Sequence, residues 1–153
     1  MRMSDASVRW WDGFSIELTK FPELLQVFRH NNPDTLKIEH DAAIVIENDF
    51  SCNRLRQFIE AVCKWGGRRG PSVLKRVKKN TESNLVTTFR YAYETARGGE
   101  VKSVVRALEV IQSLDGLGVA FASKHLKFLV PSSAVVLDSV IESKLGYATN
   151  SAG

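Results

Sequence analysis

Leu114-Asp115-Gly116-Leu117-Gly118-Val119-Ala120-Phe121-Ala122-Ser123-Lys124-His125-Leu126 decides the reading of this chain, and Asp138 follows it at the end of an apolar run. The pattern predicts a helix closing at Ser113, a tight turn carrying two glycines, and a second helix from about Val119 to Leu129 that stops before Pro131. Glycines allow positive φ and leave no side chain over the turn. The amides of Gly116, Gly118 and Val119 are then expected to point outward at a helix N-terminus. Such amides bind a phosphate without needing a basic side chain. The bland alternative is a plain turn between helices with two convenient glycines. The apolar frame and the downstream acid favour the phosphate-binding turn.

Around this turn the chain is helical in pattern. Leu55, Phe58, Ile59 and Val62 recur at i, i+3, i+4 and i+7. Asp49 or Ser51 is placed to cap that helix, and Gly66-Gly67 to stop it. Pro71 begins a short basic helix reaching Lys79. Thr81 to Arg97 is a further helix with Leu85, Phe89 and Ala92 inward. Glu100 to Ser113 is another, with Val101, Val104, Val105, Leu108 and Ile111 inward. A last helix is expected from Asp138 to Leu145. Upstream, Pro22 opens a short helix to Arg29 with Leu24, Leu25 and Phe28 on one face. Residues 36–47 hold the β-leaning run Ala42 to Ile46 and read as a short strand pair or an irregular segment. The fold class is all-α, one helical domain over 1–153. Residues 1–48 form an irregular, aromatic-bearing N-terminal segment, 49–147 the core, and 148–153 a flexible tail.

Composition sets the outer limits. The chain has 153 residues, 44% of them hydrophobic and 25% charged, enough for one domain with a real core. No apolar run approaches the roughly 20 residues needed to span a bilayer, so no membrane partner is expected. Met1 to Val8 lacks the apolar region of a signal peptide, which reads as a cytoplasmic protein, nucleoid-associated if bacterial. Cys52 and Cys63 form no CxxC pair and are expected to be reduced thiols. His30, His40 and His125 show no metal spacing, so neither a metal nor another cofactor is implied. The net charge is +4. Lys64, Arg68, Arg69, Lys75, Arg76, Lys78 and Lys79 form one run without an acid, so the rest of the chain is net acidic. That polarity suggests a surface facing a polyanion, or else a solvated connector.

At Leu114-Asp115-Gly116-Leu117-Gly118 the chain resembles the helix-hairpin-helix DNA glycosylases, and more specifically their 8-oxoguanine glycosylase branch. The family hairpin reads Leu-x-Gly-x-Gly. Ala122 matches the small residue of its second helix. The run Ala134-Val135-Val136-Leu137 into Asp138 looks like the family's approach to its catalytic aspartate. Trp65-Gly66-Gly67 and Ser123 to Leu129 also look like bacterial proteins described as having the 8-oxoguanine glycosylase fold. The resemblance covers about Cys52 to Tyr147. It implies a helix-hairpin-helix glycosylase-like domain that acts on duplex DNA with a damaged base. The base, an oxidised purine such as 8-oxoguanine, would be flipped out and its N-glycosidic bond cleaved, with strand cleavage at the resulting site as a further activity. Few residues follow Asp138, which implies a minimal version or a shortened chain.

The chain departs from the family at one position. Lyase-type members carry a lysine two residues after the second hairpin glycine, where this chain has Ala120. Lys124 lies one helical turn later on the same face, a rise of about 5.4 Å. It is a candidate substitute nucleophile, which would act as an unprotonated amine attacking the sugar C1′ as the base leaves. A solvated or phosphate-binding lysine is the alternative. Asp138 is expected to orient the nucleophile, move a proton or stabilise the developing oxocarbenium charge. It could equally activate water without any lysine, or cap the last helix. Gly116, Gly118, Val119, Lys127, Arg68, Arg69, Lys75 and Lys78 are expected to hold the DNA backbone. Trp65, Ala120 and Phe121 are expected to line the base pocket, with a core role as the alternative for the two aromatics. A nucleic-acid-binding module that has lost the chemistry, or a protein binding free nucleobases or nucleotides in a defence or stress operon, are the competing functions.

Overall fold

Leu55, Phe58, Ile59 and Val62, the stripe of the first core helix, are removed from solvent to 2% exposure or less. We describe a computed structural model in which residues 7–11, 14–137, 139 and 143 are described. The chain forms two compact units, residues 1–36 and 37–153. In the first, β1 (Ser7–Trp11) pairs antiparallel with β2 (Phe14–Glu17), Ser7 opposite Glu17. A 3-10 turn over Leu18–Lys20 leads to α1 (Phe21–Asn31), which has Pro22 in its first turn and Leu24, Leu25 and Phe28 exposed.

The strand pair expected in 36–47 is not there. That stretch is the helix α2 (Asp34–Glu47), and the only strands among the described residues lie in 7–17. Ile38, Ala42 and Val45 are buried at i, i+4 and i+7. Burial at a helical period outweighs the β preference of the Ala42 to Ile46 run, since local propensity is worth only a few tenths of a kcal/mol per residue.

The second unit continues with α3 (Cys52–Trp65), α4 (Gly70–Val77), α5 (Glu82–Ala96), α6 (Val101–Gln112) and α7 (Val119–Leu129). The mainly-α class is thus clear from the described residues, while the helix expected from Asp138 to Leu145 lies outside them. Neither Asp49 nor Ser51 caps α3 through its side chain. Asp49 instead opens a left-handed turn with Phe50, φ 47° and 56°. Arg90 holds it there, donating to both Asp49 carboxylate oxygens at 3.1 Å and to its carbonyl at 2.7 Å. On α6 the buried positions are Ala107 and Ile111, with Val104 and Leu108 packed beside them. Val101 and Val105, expected inward, face out, and Val101 is 79% exposed. The stripe 104, 107, 108, 111 is itself helically spaced, and it turns those two valines away from the core.

Helix α7 is the central element. It packs on α3, α5 and α6. From Phe121 to Leu129 every residue but Lys127 is buried, as expected of a helix enclosed on all sides. His125 is fully enclosed, with the rings of Phe58 and Phe89 edge-on at 5.8 and 5.6 Å. Its Nδ1–H donates to the Phe121 carbonyl at 2.6 Å. Burial, aided by the neighbouring Lys124 charge, pushes its pKa down to about 4, while the Phe121 and Ile59 carbonyls pull weakly the other way.

A pH dependence of stability follows. The unfolded chain takes up this proton near 6.5 and the folded one only near 4. The contribution is therefore complete above pH 6.5 and is lost progressively as pH falls toward 4, by about 3 kcal/mol over the window. Urea unfolding at pH 7 and 4.5 should show that loss in the wild type. The drop should be much smaller in His125→Leu, and an equal drop in both would contradict this burial of neutral histidine.

Candidate functional site

The loop between α6 and α7 is the hairpin read from the sequence. Leu114 and Leu117 are buried and anchor it. Gly116 sits at φ +92°, and a Cβ there would lie 2.8 Å from Arg76 Cβ and 3.0 Å from the Val73 carbonyl and the Val77 nitrogen. The turn is thus pressed onto the backbone of α4, and only glycine fits both the dihedral and the space. Asn80, just past α4, fixes it from the side. Its Oδ1 accepts from the Asp115 amide and its Nδ2 donates to the Asp115 carbonyl, each at 3.0 Å.

Gly118, the N-cap of α7, is different. Its φ of −73° suits any residue, and an added Cβ would meet nothing within 4 Å. Nothing among the described residues requires glycine there. The amides of Gly116, Gly118 and Val119 have no acceptor among the described residues. Those of Gly118 and Val119 are donors that a helix start leaves unsatisfied, that of Gly116 belongs to the turn before it, and no side chain caps α7.

These groups open onto a cleft of about 680 Å³. One wall is the hairpin and the first turns of α7, with Gly116, Gly118, Val119, Ala120, Phe121 and Lys124. The other is the α3–α4 turn and α4, with Gly66, Arg68, Arg69, Val73 and Arg76. Leu137 and Ser139 complete it. Four cationic side chains line it and no acidic one does among the described residues. The two walls meet at Gly66, where an added Cβ would lie within 2.4 Å of the Phe121 ring. Lys124 lies there too, only 8% exposed, with Nζ 3.4 Å from the Gly66 carbonyl and 4.9 Å from the Phe121 ring centroid.

Ser123 supplies a second fixed point. Its buried hydroxyl donates to the Ala120 carbonyl and accepts from the Leu137 amide, both at 2.9 Å. The chain entering position 138 is thereby tied to the first turn of α7. Asp138 itself lies outside the described residues.

The structure therefore gathers Gly116, Gly118, Val119, Ala120, Phe121, Lys124, Arg68 and Arg69 in one cleft. Other expected residues lie elsewhere. Trp65 packs edge-on against Phe128 at 5.1 Å, the core role considered as its alternative. Lys127 pairs with Glu39 at 3.9 Å over the Phe128 ring. Lys78 lines a separate groove with Arg56 and Glu60, and Lys75 is exposed outside the cleft lining. Lys64 pairs with Glu60 at 2.9 Å and, more than Lys78, holds that carboxyl below its ordinary range. Both cysteines are free, and burial, followed by the Glu60 charge, pushes the Cys63 thiol up to about 12, which leaves it inert as a nucleophile. Among the described residues no cluster could hold a metal ion, and no helix is long and apolar enough to cross a membrane.

Sequence reading missed Arg76, Asn80 and Ser123. Arg76 belongs to the basic run, but only the contact of α4 with the hairpin distinguishes it from its neighbours. Asn80 and Ser123 act through contacts 35 and 14 residues away in the chain, which no local pattern encodes. No protein-family model matches the chain, and no curated protein or solved structure matches it.

The Asn80 clamp gives a test of how the hairpin is held. Asn80→Ala removes two hydrogen bonds to Asp115 and should cost about 1–2 kcal/mol in denaturant unfolding. Hydrogen exchange at Leu117, whose amide bonds within the turn to Leu114, should accelerate while that of α5 stays slow. Unchanged exchange at the hairpin would show that Asn80 is not its clamp.

Proposed function

We propose that this protein binds DNA at the α6–α7 hairpin, takes an extruded base into the adjoining cleft and hydrolyses its N-glycosidic bond, with an oxidised purine such as 8-oxoguanine as the substrate. The observation that carries this reading is the placement of Lys124. A lysine more than nine-tenths buried lines the same cleft as the exposed hairpin amides and three arginines. Lysine is seldom buried so far unless paired, and this one sits one turn from Ala120, where lyase-type relatives of the resembled family carry theirs. The helix-hairpin-helix glycosylase fold is part of the proposal, supported by the hairpin motif and by the helices that frame it.

In the proposed reaction the amides of Gly116, Gly118 and Val119 hold a backbone phosphate and the cations neutralise its neighbours. Extruding a base costs a few kcal/mol and is cheapest where the base is damaged. The Asp138 carboxylate takes a proton from the Lys124 ammonium, and the amine so freed attacks C1′. The C1′–N bond breaks and the base departs with its electron pair, receiving that proton from Asp138. Asp138 then takes a second proton from the lysine nitrogen and passes it to the ring oxygen as the C1′–O bond breaks, which gives a protonated Schiff base, from which strand cleavage can follow. Ser123 keeps the chain at Leu137 against α7, next to Asp138 in sequence. Ala120 in the expected lysine position favours one second reading, a module that binds nucleic acid without excising a base.

Borohydride trapping on a duplex with one 8-oxoguanine separates the possibilities. The wild type should give a covalent adduct that Lys124→Ala loses, and Asp138→Asn should lower base release by at least about 100-fold. Release that depends on Asp138 without any adduct would make water the nucleophile. Binding with neither adduct nor release would favour the second reading.

A further inference from the structure

Eight arginines lie between Asn53 and Gln112, and they divide sharply. Arg54 bonds Gln57, Arg56 pairs with Glu82, Arg90 with Asp49, Arg97 with Glu94 and Arg106 with Glu109. Arg68, Arg69 and Arg76 have no ion pair and no side-chain hydrogen bond among the described residues, and these three are the arginines that line the cleft. Like charges gathered in one concavity, with no acidic side chain lining it among the described residues, raise a positive potential there, which an anionic ligand relieves. Their planar, permanently charged guanidinium groups suit phosphate oxygens, which they can grip two at a time.

The donors are also separated by wall. The hairpin wall offers backbone amides, at Gly116, Gly118 and Val119. The α3–α4 wall offers the three guanidinium groups, Arg68 and Arg69 just before α4 and Arg76 in its last turn. The walls touch where Phe121 and Lys124 meet Gly66 and where Gly116 meets Arg76. A volume of about 680 Å³ is ample for a nucleoside with phosphate on either side. Lys124 and Phe121 lie in the same cleft to meet the sugar and base.

We propose that the cleft has two phosphate subsites, the hairpin amides on one wall and Arg68, Arg69 and Arg76 on the other, so that its ligand is a nucleotide carrying phosphate on both its 5′ and 3′ sides. This assignment rests on the reading above that an extruded nucleotide enters the cleft, and it names the substrate as an interior position of a strand. The same two-phosphate chemistry could come from a free nucleoside polyphosphate, and the experiment separates the two sources.

The test is fluorescence anisotropy with a labelled 13-base-pair duplex carrying a central tetrahydrofuran abasic analogue. Its 5′ or 3′ flanking phosphate is replaced in turn by a neutral methylphosphonate. The wild type should lose about five- to tenfold in affinity with either replacement. The doubly substituted Arg68→Ala, Arg69→Ala protein should bind more weakly and lose its sensitivity at one side while keeping it at the other. Lys75→Ala with Lys78→Ala removes the same charge outside the cleft and should keep both sensitivities. Sensitivity to both phosphates in the arginine variant, or to neither in the wild type, overturns the second subsite. Competition by a deoxynucleoside triphosphate as effective as that by unlabelled duplex overturns the strand assignment in favour of a free nucleotide. Because the readout is binding, it stands or falls apart from base release, whose absence would sink only the excision reading.

Discussion

The site depends on one close contact, the seating of the hairpin turn on the backbone of α4 at Gly116. A methyl group has no room there, and φ is +92°. That contact brings the N-terminus of α7 beside the arginines of α4 and its preceding turn. Those arginines are more than 40 residues away in sequence, and without the contact the basic run and the glycine turn would be two unrelated surface features. Asn80 holds the turn from its flank by pairing both backbone groups of Asp115. Gly66 closes the other end of the cleft by admitting the Phe121 ring. Each of these is a short-range steric or hydrogen-bonding condition, and together they leave little freedom in how the two walls face each other.

Helix α7 carries both the architecture and the proposed chemistry. Its burial on nearly every side makes it rigid, and a rigid helix can present Lys124 and Ala120 to the cleft in a fixed relation. The neutral His125, enclosed by Phe58 and Phe89, belongs to that rigidity. The glycine at 118 does not. It satisfies no contact among the described residues and no unusual dihedral, which leaves its amide open to the approach of the proposed ligand.

Much of this was legible in the sequence, for a physical reason. Helices α3, α5 and α7 bury one stripe or all sides, and their apolar spacing states as much. The hairpin was legible because glycine pairs are costly inside helices and mark turns. The N-terminal region was read less well. In α2 the β-branched residues suggested strands, yet Ile38, Ala42 and Val45 bury at helical spacing. On α6 the valine-rich start of the expected face was ambiguous, and packing buries Ala107 with Ile111 while Val101 and Val105 face out. Charge alone could not sort the basic run. Arg68, Arg69 and Arg76 face the cleft while Lys64 and Lys78 gather about Glu60. That division depends on the angle at which α4 leaves its turn, and it appears only in three dimensions.

The central claim, that the hairpin is a phosphate-binding surface rather than a connector, is tested most directly by Gly118→Ala. At an N-cap, alanine is somewhat worse than glycine, and it restricts the unfolded chain in partial compensation. Thermal unfolding should therefore be nearly unchanged, within about 0.5 kcal/mol. Affinity for abasic-analogue DNA, measured on the same preparation, should fall by about tenfold as the new methyl group blocks the approach to the amides, a loss of about 1.4 kcal/mol. Unchanged affinity in a stable Gly118→Ala protein would contradict the claim and leave the hairpin as an ordinary turn between two helices.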